Sequence, residues 1–215
     1  MPRYSSKERQ EQEEARHRHE IFEAAIRVFS TKGYHAATMK DIAEAAAFSV
    51  GKLYLHFASK EKLYEELIAE YGDGWISSIE RAAGRAGSPR ERIEAAVRAQ
   101  FEFFENNFDL VQFFHNETWG LEMRIESQLG KDVYSRYLRY IALWTALFAQ
   151  GIEAGQFAGA TAEELAYKLL GIQNSLIAAE SRAPKRRPWT SVAADVLRLF
   201  YHSPLPSAGQ ARKSS

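Results

Sequence analysis

Residues 38–57 read TMKDIAEAAAFSVGKLYLHF and predict two short helices separated by a tight turn. Thr38 with Asp41 three positions later forms a capping-box pattern, which starts the first helix. Ser49 is an N-cap residue type and starts the second helix. The small apolar core that two crossing helices need is supplied by Ile42, Ala43, Ala46, Leu53 and Phe57. This pattern is typical of a helix-turn-helix, whose second helix is free to enter a DNA major groove.

Helical spacing continues on both sides of this segment. Apolar residues recur with this spacing from Ile21 up to Lys32 and Gly33, a cation and a glycine that end a helix. Ser59 starts a longer helix that runs to about Arg81. After a break that contains glycine and proline, amphipathic stretches follow at about 90–106, 108–118, 126–151, 161–181 and 189–202. We find no alternation of the β type over a useful length, so the sequence predicts an all-α fold.

Four segments are predicted along the chain. Residues 1–14 are polar and mixed in charge without an apolar stripe, so we expect a flexible arm there. Residues 15–75 form the domain that contains the helix-turn-helix, and residues 76–203 form a larger helical domain. Residues 204–215 form a polar tail that we expect to be disordered.

The composition excludes several classes of function. The chain has no cysteine, which rules out disulfides, thiolate metal sites and cysteine nucleophiles. It shows no apolar leader and no membrane-spanning run, so we expect a cytoplasmic protein. Because 28 basic residues balance 28 acidic ones, any contact with DNA depends on local placement of charge. Residues 32–60 contain four lysines and two acidic residues, which is a modest positive bias.

Sequence motifs of catalysis are missing from the chain. It contains no nucleophile elbow, no phosphate-binding glycine loop, no dinucleotide fingerprint and no His-Glu-x-x-His motif. His17 and His19 are two positions apart and diverge on a helix, and the same holds for His115 and Glu117. We therefore predict that the protein is not an enzyme and holds no metal ion and no cofactor.

Residues 21–63 closely resemble the DNA-binding domain of the TetR family of one-component transcriptional regulators. The matching positions are Ile21, Ala24, Ala25, Phe29, Gly33, Tyr34, Thr38, Asp41, Ile42, Ala43, Ala46, Ser49, Gly51, Leu53, Tyr54, His56, Phe57, Lys60, Glu61 and Leu63. The rest of the chain resembles the family only in its helical layout and length. The resemblance implies a homodimeric, ligand-responsive regulator, most often a repressor, that a small effector releases from palindromic operator DNA.

Eight residues are predicted to contact operator DNA: Thr38, Ser49, Val50, Gly51, Lys52, Tyr54, His56 and Lys60. Lys52 is the only long cationic donor on the second helix and is the candidate for reading guanine O6 and N7. Gly51 allows the backbone to approach DNA closely. The hydroxyl, imidazole and ammonium groups at the helix ends are placed to reach phosphate oxygens. For Thr38 and Ser49 the alternative is a role as caps alone, and for Tyr54 it is packing in the core.

The turn between the two short helices departs from the family pattern. The pattern has glycine followed by a small branched residue, whereas this chain has Ala47 and Phe48. If the backbone at Ala47 is left-handed, alanine costs about 1 kcal/mol relative to glycine. Phe48 still provides an apolar plug, so we expect a reshaped turn and an intact second helix.

Residues 101–148 are rich in aromatic side chains, which are the usual walls of an apolar pocket. We predict that a small apolar or aromatic effector is bound by Phe104, Phe108, Phe114, His115, Tyr137, Trp144 and Gln173. Asn116 and Glu117 are further polar anchors. Each ring taken alone also fits a core position. The alternative function is a dimeric DNA-binding regulator whose C-terminal part serves dimerisation or binding of a protein partner, without an effector.

The last two amphipathic stretches carry apolar stripes with helical spacing. The resemblance implies that the last two helices build a four-helix dimer interface. The predicted interface residues are Leu169, Ile172, Leu176, Val192, Val196 and Leu199. The alternative is that both stripes close a helical bundle within one protomer.

Overall fold

The computed structural model describes residues 5–111, 131–183 and 185–202, and no strand occurs among them. In chain order the helices are α1 (Ser6–Lys32), α2 (Met39–Ala45), α3 (Val50–His56), α4 (Lys60–Ala83), α5 (Pro89–Asn106), α6 (Lys131–Glu153), α7 (Ala162–Arg182) and α8 (Trp189–His202). The prediction of an all-α fold is confirmed. None of these helices combines the length and the apolarity needed to cross a bilayer.

Two compact units divide the chain. The N-terminal unit comprises residues 1–70 and 109–125, and the C-terminal unit comprises residues 71–108 and 126–215. Helix α4 therefore begins in the first unit and ends in the second. The predicted domain boundary after residue 75 stays a prediction, and it falls inside α4. The predicted tail lies outside the described residues.

Helix α1 begins earlier than the sequence pattern indicated. Residues 6–14, for which we expected a flexible arm, form its first turns. The physical reason is a capping box: Glu8 N donates to Ser5 Oγ over 3.2 Å, and Ser5 N donates to Glu8 Oε2 over 2.6 Å. These bonds satisfy amides that an uncapped helix leaves free, so the helix needs no apolar stripe there. The helix ends at Lys32 as predicted, and Gly33 follows with a φ of 77°.

The core of the N-terminal unit forms where α1 meets the helix-turn-helix. Helix α1 packs on α2, and α2 packs on α3. The ring of Phe22 on α1 is buried, with its centroid 5.3 Å from that of Phe57. Of the predicted core residues, Ala46 is half-buried, and those that are buried are Ile42, Ala43, Leu53 and Phe57.

The C-terminal unit is a helical bundle with a core of large aromatic side chains. Helix α5 begins at Pro89 behind a capping box, in which Glu91 N donates to Ser88 Oγ over 3.3 Å. Helix α6 packs on α5 and α7, and α8 also packs on α5 and α7. Among the described residues of this unit, the fully buried aromatic ones are Phe101, Trp144, Phe148 and Trp189.

Candidate DNA interface and effector site

Helix α2 is fixed at its start by its own side chains. Asp41 N donates to Thr38 Oγ1 over 3.2 Å, and Thr38 N donates to Asp41 Oδ2 over 3.0 Å. Lys32, at the end of α1, donates to the other oxygen of Asp41 over 2.7 Å. The hydrogen bond from Lys32, followed by those from Thr38, lowers the pKa of Asp41 to about 2. Thr38 is thus a helix cap, and its contact with phosphate stays a prediction.

The turn between α2 and α3 depends on Ala47. Its φ is 56°, and no other non-glycine residue among those described adopts a positive φ. Phe48 N donates to Ala43 O over 2.8 Å and closes the turn. The left-handed backbone that we considered for Ala47 from the sequence is confirmed. It costs alanine about 1 kcal/mol relative to glycine.

Helix α3 is held between a cap and a buried leucine. Lys52 N donates to Ser49 Oγ over 3.2 Å, so Ser49 caps the helix as predicted. Leu53 is fully buried, and Phe57, which follows the helix, is 1% exposed. These two side chains fix which side of α3 faces the core.

The opposite side of α3 is an exposed surface that we call the free face, formed by Val50, Gly51, Tyr54 and Leu55. Leu55 is 86% exposed, and a Cβ added to Gly51 would meet no atom of the described residues within 4 Å. Tyr54 is 50% exposed, so the alternative that it packs in the core is wrong. We did not predict Leu55, although its position four residues after Gly51 places it on the same side of the helix.

Lys52 lies at the edge of α3 and contacts α1. Its Nζ lies 3.3 Å from Nε2 of His17 and 4.1 Å from the ring centroid of Phe48. The ring of His56 lies 5.8 Å from that of His17. Burial, and then the neighbouring His17, lowers the pKa of His56 below its ordinary value. Neither His17 nor Phe48 was predicted at this site, because their contact with α3 depends on how α1 packs.

Lys60 occupies a structural position rather than an open one. Its ammonium donates to Tyr34 O over 2.7 Å and to Ala37 O over 2.9 Å, and it lies 3.4 Å from His35 O. It also lies 4.4 Å from the ring centroid of Tyr34. The predicted phosphate contact of Lys60 is therefore corrected. The loop that follows α1 presents carbonyl groups without helical partners, and these take the ammonium protons.

The predicted effector residues fall into three groups. Phe114 and His115, with Asn116 and Glu117, lie outside the described residues. Tyr137 is half-buried and its ring stacks on that of Tyr134, with centroids 6.5 Å apart. The remaining predictions are Phe104, Phe108, Trp144 and Gln173, which lie in or beside the core of the C-terminal unit.

A continuous row of rings connects most of this last group. Phe108 and Phe104 lie 6.3 and 6.0 Å from Trp189. Trp75 lies 5.9 Å from Phe104 and 4.5 Å from Tyr140, and Trp144 lies 6.1 Å from Tyr140. We call this series the aromatic row: Phe108, Trp189, Phe104, Trp75, Tyr140 and Trp144. Most of these rings are buried, and aromatic side chains of this kind are the usual walls of pockets for apolar ligands.

Three polar side chains meet at one end of the aromatic row, and we call them the polar cluster: Gln100, Tyr140 and Gln173. The hydroxyl of Tyr140 lies 2.9 Å from Gln100 Oε1 and 3.0 Å from Gln173 Oε1. Both glutamines are 1% exposed, and burial raises the pKa of Tyr140. We did not predict Gln100 or Tyr140. The signal for Gln100 was its place in the apolar stripe of α5, three residues after Val97 and four before Phe104.

The predicted dimer residues divide by exposure. Leu169, Val192 and Val196 are fully buried within the protomer, so their assignment to an interface is corrected. They face inward because α7 and α8 pack with α5 and α6 in one bundle. A bundle within one protomer was the alternative that the sequence left open for both stripes. Of the other predicted residues, Ile172 and Leu176 are half-buried and Leu199 is 37% exposed.

Known proteins share both the sequence pattern and the fold. Residues 21–67 match the family model of bacterial regulatory proteins, tetR family. The HTH-type transcriptional repressor KstR2 of Mycobacterium tuberculosis is 29% identical over 153 residues, which cover 71% of this chain and 75% of that protein. The fatty acid degradation regulator FadR from Bacillus halodurans has a TM-score of 0.77 at 20% identity, covering 87% of this chain and 95% of that one. FadR from Bacillus subtilis in complex with stearoyl-CoA has a TM-score of 0.74 at 18% identity, with coverages of 86% and 98%.

Proposed function

This chain belongs to the TetR family of bacterial regulatory proteins and is a DNA-binding transcriptional regulator, and we propose that it is a repressor released from a palindromic operator by a small apolar effector. The prediction of a regulator rather than an enzyme is confirmed by the relatives, among which KstR2 is named as a transcriptional repressor. The observation that carries the proposal is the free face of α3. It is exposed while the rest of the helix is held by its cap and by Leu53.

The free face enters the major groove of the operator. The groove is wide enough for a helix, and apolar side chains such as that of Leu55 contact the methyl groups of thymine there. The hydroxyls of Thr38 and Ser49 and the imidazole of His56 lie at the ends of α2 and α3, from which they reach phosphate oxygens. Such contacts fix the register of the helix, whereas the free face reads the bases.

Lys52 borders the free face and reads guanine in this proposal. Its ammonium has three N–H bonds, and the contact with His17 uses one of them. Selection from random DNA yields the preferred operator, which is expected to be palindromic. Lys52→Ala then weakens binding by about 1–3 kcal/mol and relaxes the preference at one base pair of each half-site.

Competition titrations with operators changed at single base pairs measure this preference. Lys40→Ala, which removes an exposed lysine of α2, is the control and should weaken binding to all sequences alike. An unchanged base preference in Lys52→Ala contradicts the role of Lys52. Failure to select any DNA sequence with the full chain contradicts the proposed function.

The operator is bound by a homodimer in this proposal. A two-fold dimer places its two α3 helices about 34–36 Å apart, or at a further whole turn, so that both enter major grooves on one side of DNA. The exposed sides of α7 and α8 are the proposed interface. They carry Tyr167 and Leu199, which are 49% and 37% exposed, beside the half-buried Ile172 and Leu176.

The effector binds along the aromatic row of the C-terminal unit. Two observations support an apolar molecule: the length of the row, and the structural likeness to a FadR that is described in complex with stearoyl-CoA. Helix α4 contributes Trp75 to the row, and its other end belongs to the N-terminal unit. An effector that binds better to one placement of α4 shifts the population toward that placement, and this weakens operator binding if the α3 helices then have the wrong spacing.

A further inference from the structure

Three buried N–H groups beside Tyr140 lack a hydrogen-bond acceptor within the described part of the chain. They are Nε2 of Gln173, Nε1 of Trp75 and Nε1 of Trp144. Native proteins pair nearly all buried polar groups, and a buried donor left unpaired costs about 1–3 kcal/mol. Gln173 is 1% exposed, so bulk water does not satisfy its amide. Several such donors next to one tyrosine indicate that a further acceptor binds there.

The acceptors within the polar cluster make no hydrogen bond to Nε2 of Gln173 or to Nε1 of Trp75. Gln173 Oε1 lies 3.0 Å from the Tyr140 hydroxyl and accepts from Gln100 Nε2 over 3.4 Å. Gln100 Oε1 lies 2.9 Å from the same hydroxyl, whose single proton serves one of the two oxygens at a time. The hydroxyl oxygen of Tyr140 is also an acceptor, but neither Gln173 Nε2 nor Trp75 Nε1 makes a hydrogen bond to it or to the amide oxygens.

The surroundings of the polar cluster define the rest of the ligand. The aromatic row leads away from Tyr140 through Trp75 and Phe104, and these rings favour an apolar body. None of the three cluster side chains carries a charge, so the cluster offers nothing to offset the desolvation of an anionic ligand. An uncharged carbonyl oxygen meets both conditions, because it accepts two hydrogen bonds without bringing a charge.

We propose that Gln173 and Trp75, with Tyr140 between them, form the polar end of the effector site and bind the uncharged carbonyl oxygen of an apolar ketone, ester or thioester. This inference rests on the proposed function, since it names the chemistry of the same effector. It also assigns Trp75 a role in induction. The residue belongs to α4, and a ligand that holds its indole N–H acts directly on that helix.

The test uses three probes that share a hydrocarbon chain and differ at its end: methyl laurate, dodecane and sodium laurate. Tryptophan fluorescence and the thermal unfolding midpoint of the full chain report binding. Methyl laurate should bind about tenfold more tightly than dodecane, which is the effect of about one hydrogen bond to a buried donor. Equal binding of methyl laurate and dodecane, or tighter binding of laurate than of its ester, overturns the proposal.

Gln173→Leu should abolish the preference for the ester over dodecane. Gln150→Leu, at an exposed position of α6, is the matched control and should keep the preference. Because Gln173→Leu alters a buried site, Trp75→Phe serves as a second variant that keeps a smaller aromatic ring at the position and removes the N–H. A preference for the ester that survives in both folded variants overturns the assignment.

Operator binding of the same samples separates this inference from the proposed function. A chain that binds its selected operator but shows no preference for methyl laurate refutes the carbonyl site and leaves the regulator intact. A chain that prefers the ester but selects no operator keeps the carbonyl-binding site and refutes the proposed function. Release of the operator by methyl laurate and not by dodecane is the result expected if both hold.

Discussion

Polar groups are arranged in opposite ways in the two units of this protein. At the junction of α1 and α2, Lys32, Thr38 and Asp41 satisfy one another through short hydrogen bonds. In the core of the C-terminal unit, Gln173 and Trp75 hold buried N–H groups without an acceptor among the described residues. A satisfied network favours one geometry, whereas an unpaired buried donor carries a cost that a bound acceptor removes. If the proposed function holds, operator DNA binds a unit whose polar groups are already paired. The effector, in contrast, supplies the acceptor that the buried N–H groups of the other unit lack.

Phe57→Ala should cause the largest effect on the preformed N-terminal unit. The ring is 1% exposed and packs on Phe22, so its removal should lower the free energy of unfolding by about 3–5 kcal/mol. Leu55→Ala is the contrast, because Leu55 is 86% exposed and should change stability by no more than about 0.5 kcal/mol while weakening operator binding. Urea unfolding and operator titration measure both effects. Equal destabilisation by the two variants would contradict the division of α3 into a core side and a free face.

Lys60→Ala tests whether the loop after α1 belongs to the same preformed region. Removing the ammonium leaves the carbonyl groups of Tyr34 and Ala37 without their charged donor, and we expect a loss of about 1.5–3 kcal/mol in unfolding free energy. Lys62→Ala, at an exposed position two residues later, should leave stability nearly unchanged. If Lys60 instead contacts phosphate, Lys60→Ala keeps the stability of the unaltered protein. The slope of log K for operator binding against log salt concentration then falls by about one.

The contrast between the units also explains what the sequence predicted well. The caps of α2 and α3 depend on residues only three positions apart, so Thr38 with Asp41 and Ser49 with Lys52 were readable locally. The left-handed turn at Ala47 was readable for the same reason, since it depends on one residue type at one position. Helix caps and turns depend on residues only a few positions apart, and these features determine much of the N-terminal unit.

Predictions that depended on tertiary packing were less accurate. The stripe residues Leu169 and Val192 have the spacing of an interface, yet the same spacing serves a bundle core, and only the position of α5 decides between them. Lys60 looked like a free cation because its carbonyl partners lie more than twenty residues earlier. Gln100 was a visible exception in an apolar stripe, but its partners Tyr140 and Gln173 come from two other helices.

Ala47→Gly should make the preformed region more stable. Glycine adopts a φ of 56° without the steric cost that alanine has there, so we expect a gain of about 1 kcal/mol in unfolding free energy. Ala45→Gly, in the last turn of α2, is the control and should be destabilising by about 0.5–1 kcal/mol, because there glycine only adds freedom to the unfolded chain. Thermal unfolding of both variants measures the difference. A loss of stability in Ala47→Gly contradicts the strain at this turn.

The smallest expected effect is a pH dependence with opposite signs for folding and for DNA binding. Burial lowers the pKa of His56 below 6.5 in the folded protein, so the unfolded chain binds more protons near that pH. The contribution of His56 to stability is therefore complete above pH 6.5 and is lost as the pH falls through the lower pKa of the folded state. Phosphate near His56 favours the protonated form instead, so operator binding should strengthen over the same fall in pH. Urea unfolding and operator titration between about pH 5 and 8 measure the two slopes. His56→Gln should reduce both slopes, and His19→Gln, at an exposed position of α1, is the control. An operator-binding slope that is the same in His56→Gln as in the unaltered protein would contradict a contact between His56 and phosphate.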